Sequence, residues 1–203
     1  MIWDKFSAFY DRAETLFNRE VFLNTGKVCA EYIESSDRVL ECACGTGAIS
    51  VWIAPACREL TVTDLSHKML AQADKKLARF DNVRIRHADI FRLRCPDGSF
   101  DKVIAGNVIH LLDEPGKALE ELLRVCRPGG LVILPTYLIG NDSLNRAVVA
   151  GIDKAGVNFR HRFELGTYRS FLEELGHPAR EIKVVKGRMP CAVAVIEKKG
   201  EQE

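Results

Sequence analysis

No stretch of this chain approaches the roughly 20 consecutive apolar residues that cross a bilayer. The opening run, MIWDKFSAFYDRAETLFNRE, is interrupted by Asp4, Lys5, Asp11, Arg12 and Glu14 before it reaches signal-peptide length. Neither a membrane span nor a secretory leader is expected. An excess of one charge is missing as well: 29 Lys and Arg face 28 Asp and Glu, for a net charge of +1, so no overall field steers the protein to nucleic acid or to an anionic membrane. The seven cysteines form no spaced framework, and their odd number fits a reducing compartment, the cytoplasm. Repeats, low-complexity tracts and Pro/Gly/Ser linkers are also absent. What remains is 203 residues, 47% hydrophobic and 28% charged, enough for one sizeable core and too few for two ordinary domains. A single domain over 1–203 is expected, ending in a solvated tail at EKKGEQE.

Short β-rich runs alternate with amphipathic ones. RVLECA (38–43), ELTVTD (59–64), VRIRHA (83–88), FDKVIA (100–105) and LVILPTY (131–137) carry the branched and apolar residues of buried strands. Between them, Met69, Leu70, Ala73 and Leu77 recur at helical spacing behind a Ser66 cap. In EPGKALEELLRVCRPGG, Pro115 opens a helix whose one face carries Ala118, Leu119, Leu122, Leu123 and Cys126, and Pro128 with two glycines stops it. Strands alternating with helices imply parallel pairing through right-handed crossovers, hence an open α/β sheet with helices on both faces. After the helix in TYRSFLEELG, the runs AREIKVVKG and PCAVAVIEKK are joined by so short a turn that they must pair antiparallel.

Ligands of such sheets bind at the carboxyl ends of the strands. There stands ECACGTG, where Gly45 and Gly47 follow a strand and open the helical stretch AISVWIA. Acidic residues end the next two strands: Asp64, placed to accept hydrogen bonds from ribose hydroxyls, and Asp89, placed to accept one from an adenine amino group. A nicotinamide dinucleotide site fits poorly, because the third fingerprint glycine would fall on Ser50 and Glu41 would stand beside the pyrophosphate. A carboxylate at 41 suits an amine or a sulfonium instead. Nor does any tyrosine begin Y-x-x-x-K, since positions 14, 36, 141 and 172 are Glu, Ser, Asn and Leu.

In their order and spacing, VLECACGTG, VTDLSHKML, RHADI, FDKVIAGNVIHLL and LLRVCRPGGLVIL resemble the class I S-adenosylmethionine-dependent methyltransferases, in particular the small type 11 family that includes the ubiquinone and menaquinone C-methyltransferases. The resemblance covers residues 6–137 strongly, and beyond them only the helix-strand-strand ending. It implies a Rossmann-like sheet of order 3-2-1-4-5-7-6 with the last strand antiparallel, S-adenosylmethionine as cofactor, and methyl transfer to a small-molecule acceptor. It divides the chain into an N-terminal helical lid (1–35), a cofactor-binding core (36–137) and a substrate-side segment with the C-terminal strands (138–203).

Carried over by position, the resemblance puts Glu41, Gly45 and Gly47 under the methionine moiety, with Ala43 where the family usually has glycine. Asp64 would hold the ribose. Leu65 and Met69 would pack near the adenine, Asp89 and the Ile90 amide would read its amino edge, and Asn107 would lie under the cofactor. Tyr10 matches an aromatic that closes over the methionine end. His110 and Tyr137, after the fourth and fifth strands, are the candidate acceptor contacts, and His110 is the candidate base where the acceptor must lose a proton. No residue is assigned the catalytic step itself.

Cys42 and Cys44, starting on one face of a strand, could chelate a soft metal. No second pair at ligand spacing supports this, so packing is expected and no metal. Trp3, Phe6, Phe9, Tyr10 and Phe17 recur at helical spacings as a lid or as plain core, and residues 138–168 with Arg160, His161 and Arg162 are placed to wall the acceptor. Two further readings stand beside methyl transfer: a cofactor-binding protein without turnover, and a thiol-dependent metalloid methyltransferase.

Overall fold

The computed structural model describes residues 10–139 and 159–200, the side chains of 10–15 and 17 excepted. Trp3, Phe6 and Phe9, the side chains of Tyr10 and Phe17, and most of the expected acceptor wall lie outside that description.

Seven strands form one sheet: β1 (Arg38–Cys42), β2 (Glu59–Asp64), β3 (Val83–His87), β4 (Phe100–Ala105), β5 (Cys126–Tyr137), β6 (Glu181–Val185) and β7 (Cys191–Glu197), in the order β3-β2-β1-β4-β5-β7-β6. Pairing is parallel from β3 to β5, while β7 runs antiparallel to both β5 and β6. The chain reverses its direction of winding between β1 and β4, and the crevice outside their carboxyl ends is where a sheet of this kind receives a ligand.

Alternation along each strand sorts the core into two layers. On one face Val39, Val62, Ile104 and Val193 meet α1 (Tyr10–Ala30), α2 (Ser50–Ile53) and α3 (His67–Leu77). On the other, Leu40, Val103, Val132 and Ala194 meet α4 (Pro115–Val125) and α5 (Leu165–Glu174). Tyr168 of α5 is fully buried there and its hydroxyl donates to the Leu134 carbonyl at 2.9 Å, so the one polar atom of a large apolar ring is satisfied.

Two elements differ from the pattern read in the sequence. AISVWIA yields only the single turn of α2 before Pro55 tightens the chain into a 3-10 turn over Ala54–Ala56. The fifth strand begins at Cys126, five residues earlier than expected: the helix ends at Val125, and the chain is already extended at Cys126 (φ −73°, ψ 138°). A register shift between Phe100 and Lys102 absorbs the excess residues of β5 around Gly129 and Gly130.

α1 bends at Asn18 (φ −140°, ψ 41°), which is buried and spends its amide on the backbone of Met189: Nδ2 donates to the carbonyl at 2.7 Å, and Oδ1 accepts from the N–H at 3.3 Å. That double bond fixes the helix against the turn between β6 and β7. From there α1 runs past Trp52, approached closely at Gly26, and brings Phe22 and Thr25 to the crevice.

Candidate functional site

At the end of β1 the chain leaves the strand through Ala43, which adopts the left-handed conformation (φ 51°). This overturns one reading, that Cys42 and Cys44 start on the same face of a strand. With a left-handed residue between them, Cys42 and Cys44 part company: Cys42 joins the layer under α4, and Cys44 joins the layer under α1 and α3. They do not form a chelating pair.

The turn continues through Gly45 (φ 54°), whose Cβ position is open space, and its N–H donates to Asp64 Oδ2 at 2.8 Å. Asp64 Oδ1 accepts from the Ser66 N–H, also at 2.8 Å. Each oxygen is thus held by one backbone donor and retains further acceptor capacity. Burial pushes the Asp64 carboxyl above its ordinary range, against the pull of these backbone bonds and of nearby His87. Ser66, in the next loop, caps α3 by accepting from the Met69 N–H at 3.2 Å, as its position in the sequence predicts.

Glu41 is the more unusual group. It lies on β1 opposite Val62 and Ile104, is 1% exposed, and its Oε2 has no hydrogen-bond partner. Burial pushes its carboxyl up to about 8, with Asp64 adding to the rise, while the adjacent Ser50 hydroxyl and Lys76 pull the other way. Ser50 lies near, yet its Oγ makes no well-formed bond.

These groups line a cavity of about 370 Å³, within the range typical of small-molecule sites. Ala43, Gly45, Leu65, Met69, Asp89 and Ile90 line it as well, and so do Asn107 and Tyr137. Asp89 is exposed and its Oδ1 accepts from the Phe91 N–H at 3.0 Å. Asn107 is left-handed (φ 53°); its N–H donates to the Pro135 carbonyl at 2.7 Å, and its Oδ1 accepts from the Cys191 thiol at 3.7 Å, which leaves the amide NH2 for the cavity.

Two expected contacts lie elsewhere. Gly47 (φ 81°) is absent from the cavity wall and instead faces α3, where a Cβ would stand 3.5 Å from Ala73 and Leu77. His110 stands behind the wall, 2% exposed, stacked on Phe159 (ring centroids 4.9 Å apart) and tilted against Tyr137 (6.1 Å). Its carbonyl accepts from the N–H groups of Arg160 and His161 at 3.0 and 3.1 Å. Its Nδ1 has no partner, and burial, reinforced by His161, pushes the imidazole down to about 3. It remains neutral at physiological pH and is a weak base. The side chain of Tyr10 lies outside the described residues.

Sequence reasoning passed over Phe22, Thr25, Gly106, Phe91, Leu111 and Leu112, which also line the cavity. Gly106 had a readable signal, a glycine directly after a strand beside a candidate ligand residue, and a Cβ there would collide with Ile49. Phe22 and Thr25 had none, because only the path of α1 brings them in.

Among the described residues no three His, Cys, Asp or Glu side chains are grouped to hold a metal ion, and no helix is long and apolar enough to cross a membrane. Burial raises the thiols of Cys29, Cys42, Cys44, Cys57 and Cys126 above their ordinary value, as expected of packing cysteines.

The methyltransferase domain profile matches residues 40–134, and the chain is 33% identical over 163 residues to a demethylmenaquinone methyltransferase of Clavibacter sepedonicus, covering 75% of this chain and 66% of that one. Residues 40–134 thus carry a methyltransferase domain, and the chain is similar to the class I S-adenosylmethionine-dependent methyltransferases. It is also 32% identical over 140 residues to the phosphatidylethanolamine N-methyltransferase of Cereibacter sphaeroides, covering 68% of this chain and 66% of the relative. The chain spans just under two thirds of the length of these two curated relatives. In fold it matches a chain from the complex of the Haloferax volcanii Trm112 methyltransferase activator with a methyltransferase, at a TM-score of 0.79 and 16% identity over 98% of both chains.

The cavity fits the cofactor of this family. It offers an orphaned buried carboxyl oxygen at Glu41, a turn open above Gly45, and a carboxylate at Asp64 already held by two backbone donors. Among the described residues no lysine or arginine lines it to favour a phosphate.

Proposed function

We propose that this single domain transfers the methyl group of S-adenosylmethionine to a small molecule with an apolar body. The observation that carries this reading is the pair of carboxyls, Glu41 and Asp64, on either side of the Gly45 turn within one cavity. Asp64 accepts the hydroxyl hydrogens of the ribose, held in place by Gly45 and Ser66. Leu65, Met69 and Ile90 cover the adenine, and Asp89 takes its amino edge. Glu41 meets the methionine ammonium, and the Asn107 amide donates to its carboxylate.

When bound, the cofactor supplies an electrophilic methyl on a positively charged sulfur with a neutral thioether as leaving group. Phe22, Val108, Leu111, Leu112 and Tyr137 surround the remaining space. Such a wall excludes water and holds an acceptor at attack distance, which is most of what a displacement with so good a leaving group requires. Neutral, recessed His110 supports Tyr137 from behind. The acceptor atom then brings its own lone pair or arrives already deprotonated. The two curated relatives named above point to lipid acceptors of different chemistry, and an apolar wall suits the bodies of both.

Calorimetric titration with S-adenosylhomocysteine tests the cofactor half of the reading. Removing a hydrogen-bonded carboxylate costs about 1.5–3 kcal/mol, so Asp64→Ala should weaken binding roughly ten- to a hundred-fold. An unchanged affinity would refute the assignment. Methyl transfer to quinol, phenol and amine acceptors, followed with radiolabelled cofactor, then tests the acceptor half.

A further inference from the structure

Glu41 presents a buried carboxyl whose Oε2 has no protein partner, although the residue lines the cavity and is 1% exposed. Such an oxygen is costly to leave as an anion, because burial withdraws it from solvent and no well-formed protein hydrogen bond reaches it. The groups around it do little to help. From β2 comes Asp64, of like charge; from α1, Cys29, a thiol held protonated; along its own strand and turn, Cys42 and Cys44, also protonated. From α2 comes only the Ser50 hydroxyl, and the facing residue of β4, Ile104, is apolar. Among the described residues the one cation is Lys76 of α3, whose ammonium already donates to Thr46 Oγ1 at 3.3 Å.

We propose, on the basis of the cofactor reading above, that Glu41 carries a proton in the free protein and loses it when the cofactor's ammonium arrives, so that cofactor binding releases one proton to solvent. The O–H bond of the carboxylic acid breaks, the electron pair stays on the carboxylate, and the incoming ammonium supplies a positive partner beside it. The upward displacement of the Glu41 carboxyl by burial agrees with this. Glu41 becomes a selector for adenosine ligands that bear an amine: a ligand without one gives the carboxylate no partner and drives no ionisation.

The test is calorimetry at pH 7 in two buffers of different protonation enthalpy, with S-adenosylhomocysteine and with 5′-methylthioadenosine, which lacks the amino acid portion. Wild type should release close to one proton per S-adenosylhomocysteine, and its affinity should rise by up to about tenfold per pH unit from 6 to 7.5. The thioadenosine should release none. Glu41→Gln, which keeps shape and polarity, should bind S-adenosylhomocysteine without proton release and with no such slope. A wild type that binds without releasing a proton overturns the proposal and leaves the cofactor reading standing, and so does a Glu41→Gln variant that still releases one, which would assign the proton to Asp64. Failure of wild type to bind S-adenosylhomocysteine at any pH sinks the cofactor reading and the proposal together.

Discussion

Ala43 occupies the left-handed region at φ 51° in a position that the chemistry of the turn does not let it leave. On one side β1 fixes Cys42 by pairing with Thr63 and Ala105; on the other the Cys44 N–H donates to the Thr63 carbonyl at 2.9 Å. An L-residue there pays about 1–2 kcal/mol for the approach of its Cβ to the following carbonyl. Glycine would remove that strain but would loosen the unfolded chain by about 0.4–1 kcal/mol. Ala43→Gly should therefore stabilise the protein by roughly 0.5–1 kcal/mol, or about 1–4 °C in melting temperature for a domain of this size. Differential scanning fluorimetry without ligand gives the sign, and urea unfolding gives the free energy. The β-branched substitution Ala43→Val, which cannot adopt φ near +50° without a clash, should do the reverse by more than 1 kcal/mol. A fall in stability on Ala43→Gly would mean that this turn is not left-handed in solution. The separation of Cys42 from Cys44 and the position of Gly45 over Asp64 would then both need revision.

Other consequences follow from the buried titratable groups. Glu41 rises from an ordinary 4.5 to about 8 on folding, so the stability it contributes is full below pH 4.5 and is lost as pH climbs through 8; between pH 5.5 and 7.5 wild type should lose about 2 kcal/mol relative to Glu41→Gln, measured by urea unfolding at both values. His110 moves the opposite way, from 6.5 to about 3, so its contribution is full above pH 6.5 and is lost as pH falls through 3; an imidazole NMR titration should show no ionisation of His110 between pH 5 and 8, and a midpoint near 6.5 would contradict its burial. Six of the seven cysteines are buried and Cys95 is intermediate, so brief treatment of native protein with iodoacetamide should label Cys95 alone by mass spectrometry. Rapid labelling of Cys42 or Cys44 would reopen a thiol role.

The alternation of strands and helices, the acids at 64 and 89 and the Ser66 cap were legible because each follows from a local rule: periodicity, a polar residue at a strand end, a hydroxyl ahead of a helix; the strand order came only with the family resemblance. The misreadings came where a backbone angle or a distant packing partner decides. Alanine is not expected at positive φ, so ECAC reads as continuous strand and its cysteines as neighbours, whereas one left-handed residue sends them to opposite layers. Gly47 reads as a ligand glycine from its spacing, but its need is for close approach to Ala73 and Leu77 of α3, some 26 and 30 residues away along the chain. His110 sits one 3-10 turn past Asn107, and that turn rotates it off the wall and onto Phe159, a contact no local pattern encodes.

The charge of the cavity gives the arrangement its direction. Its ionisable wall groups are the acids Glu41, Asp64 and Asp89 with Cys44 and Tyr137, and no cationic side chain lines it among the described residues. In a half-enclosed site of reduced dielectric, carboxylates attract a positive sulfur more strongly than they would in water. Under the proposed function, methyl transfer removes that charge and leaves a neutral thioether, so the wall should hold the spent cofactor less tightly than the charged one while the proposed contacts to adenine, ribose and ammonium are retained. The expected signature is a dissociation constant for S-adenosylmethionine below that for S-adenosylhomocysteine, with the gap narrowing as salt rises. The two ligands share the amine, so proton release through Glu41 should be equal for both. Only the sulfonium contribution separates them, and it is absent from the product that must leave.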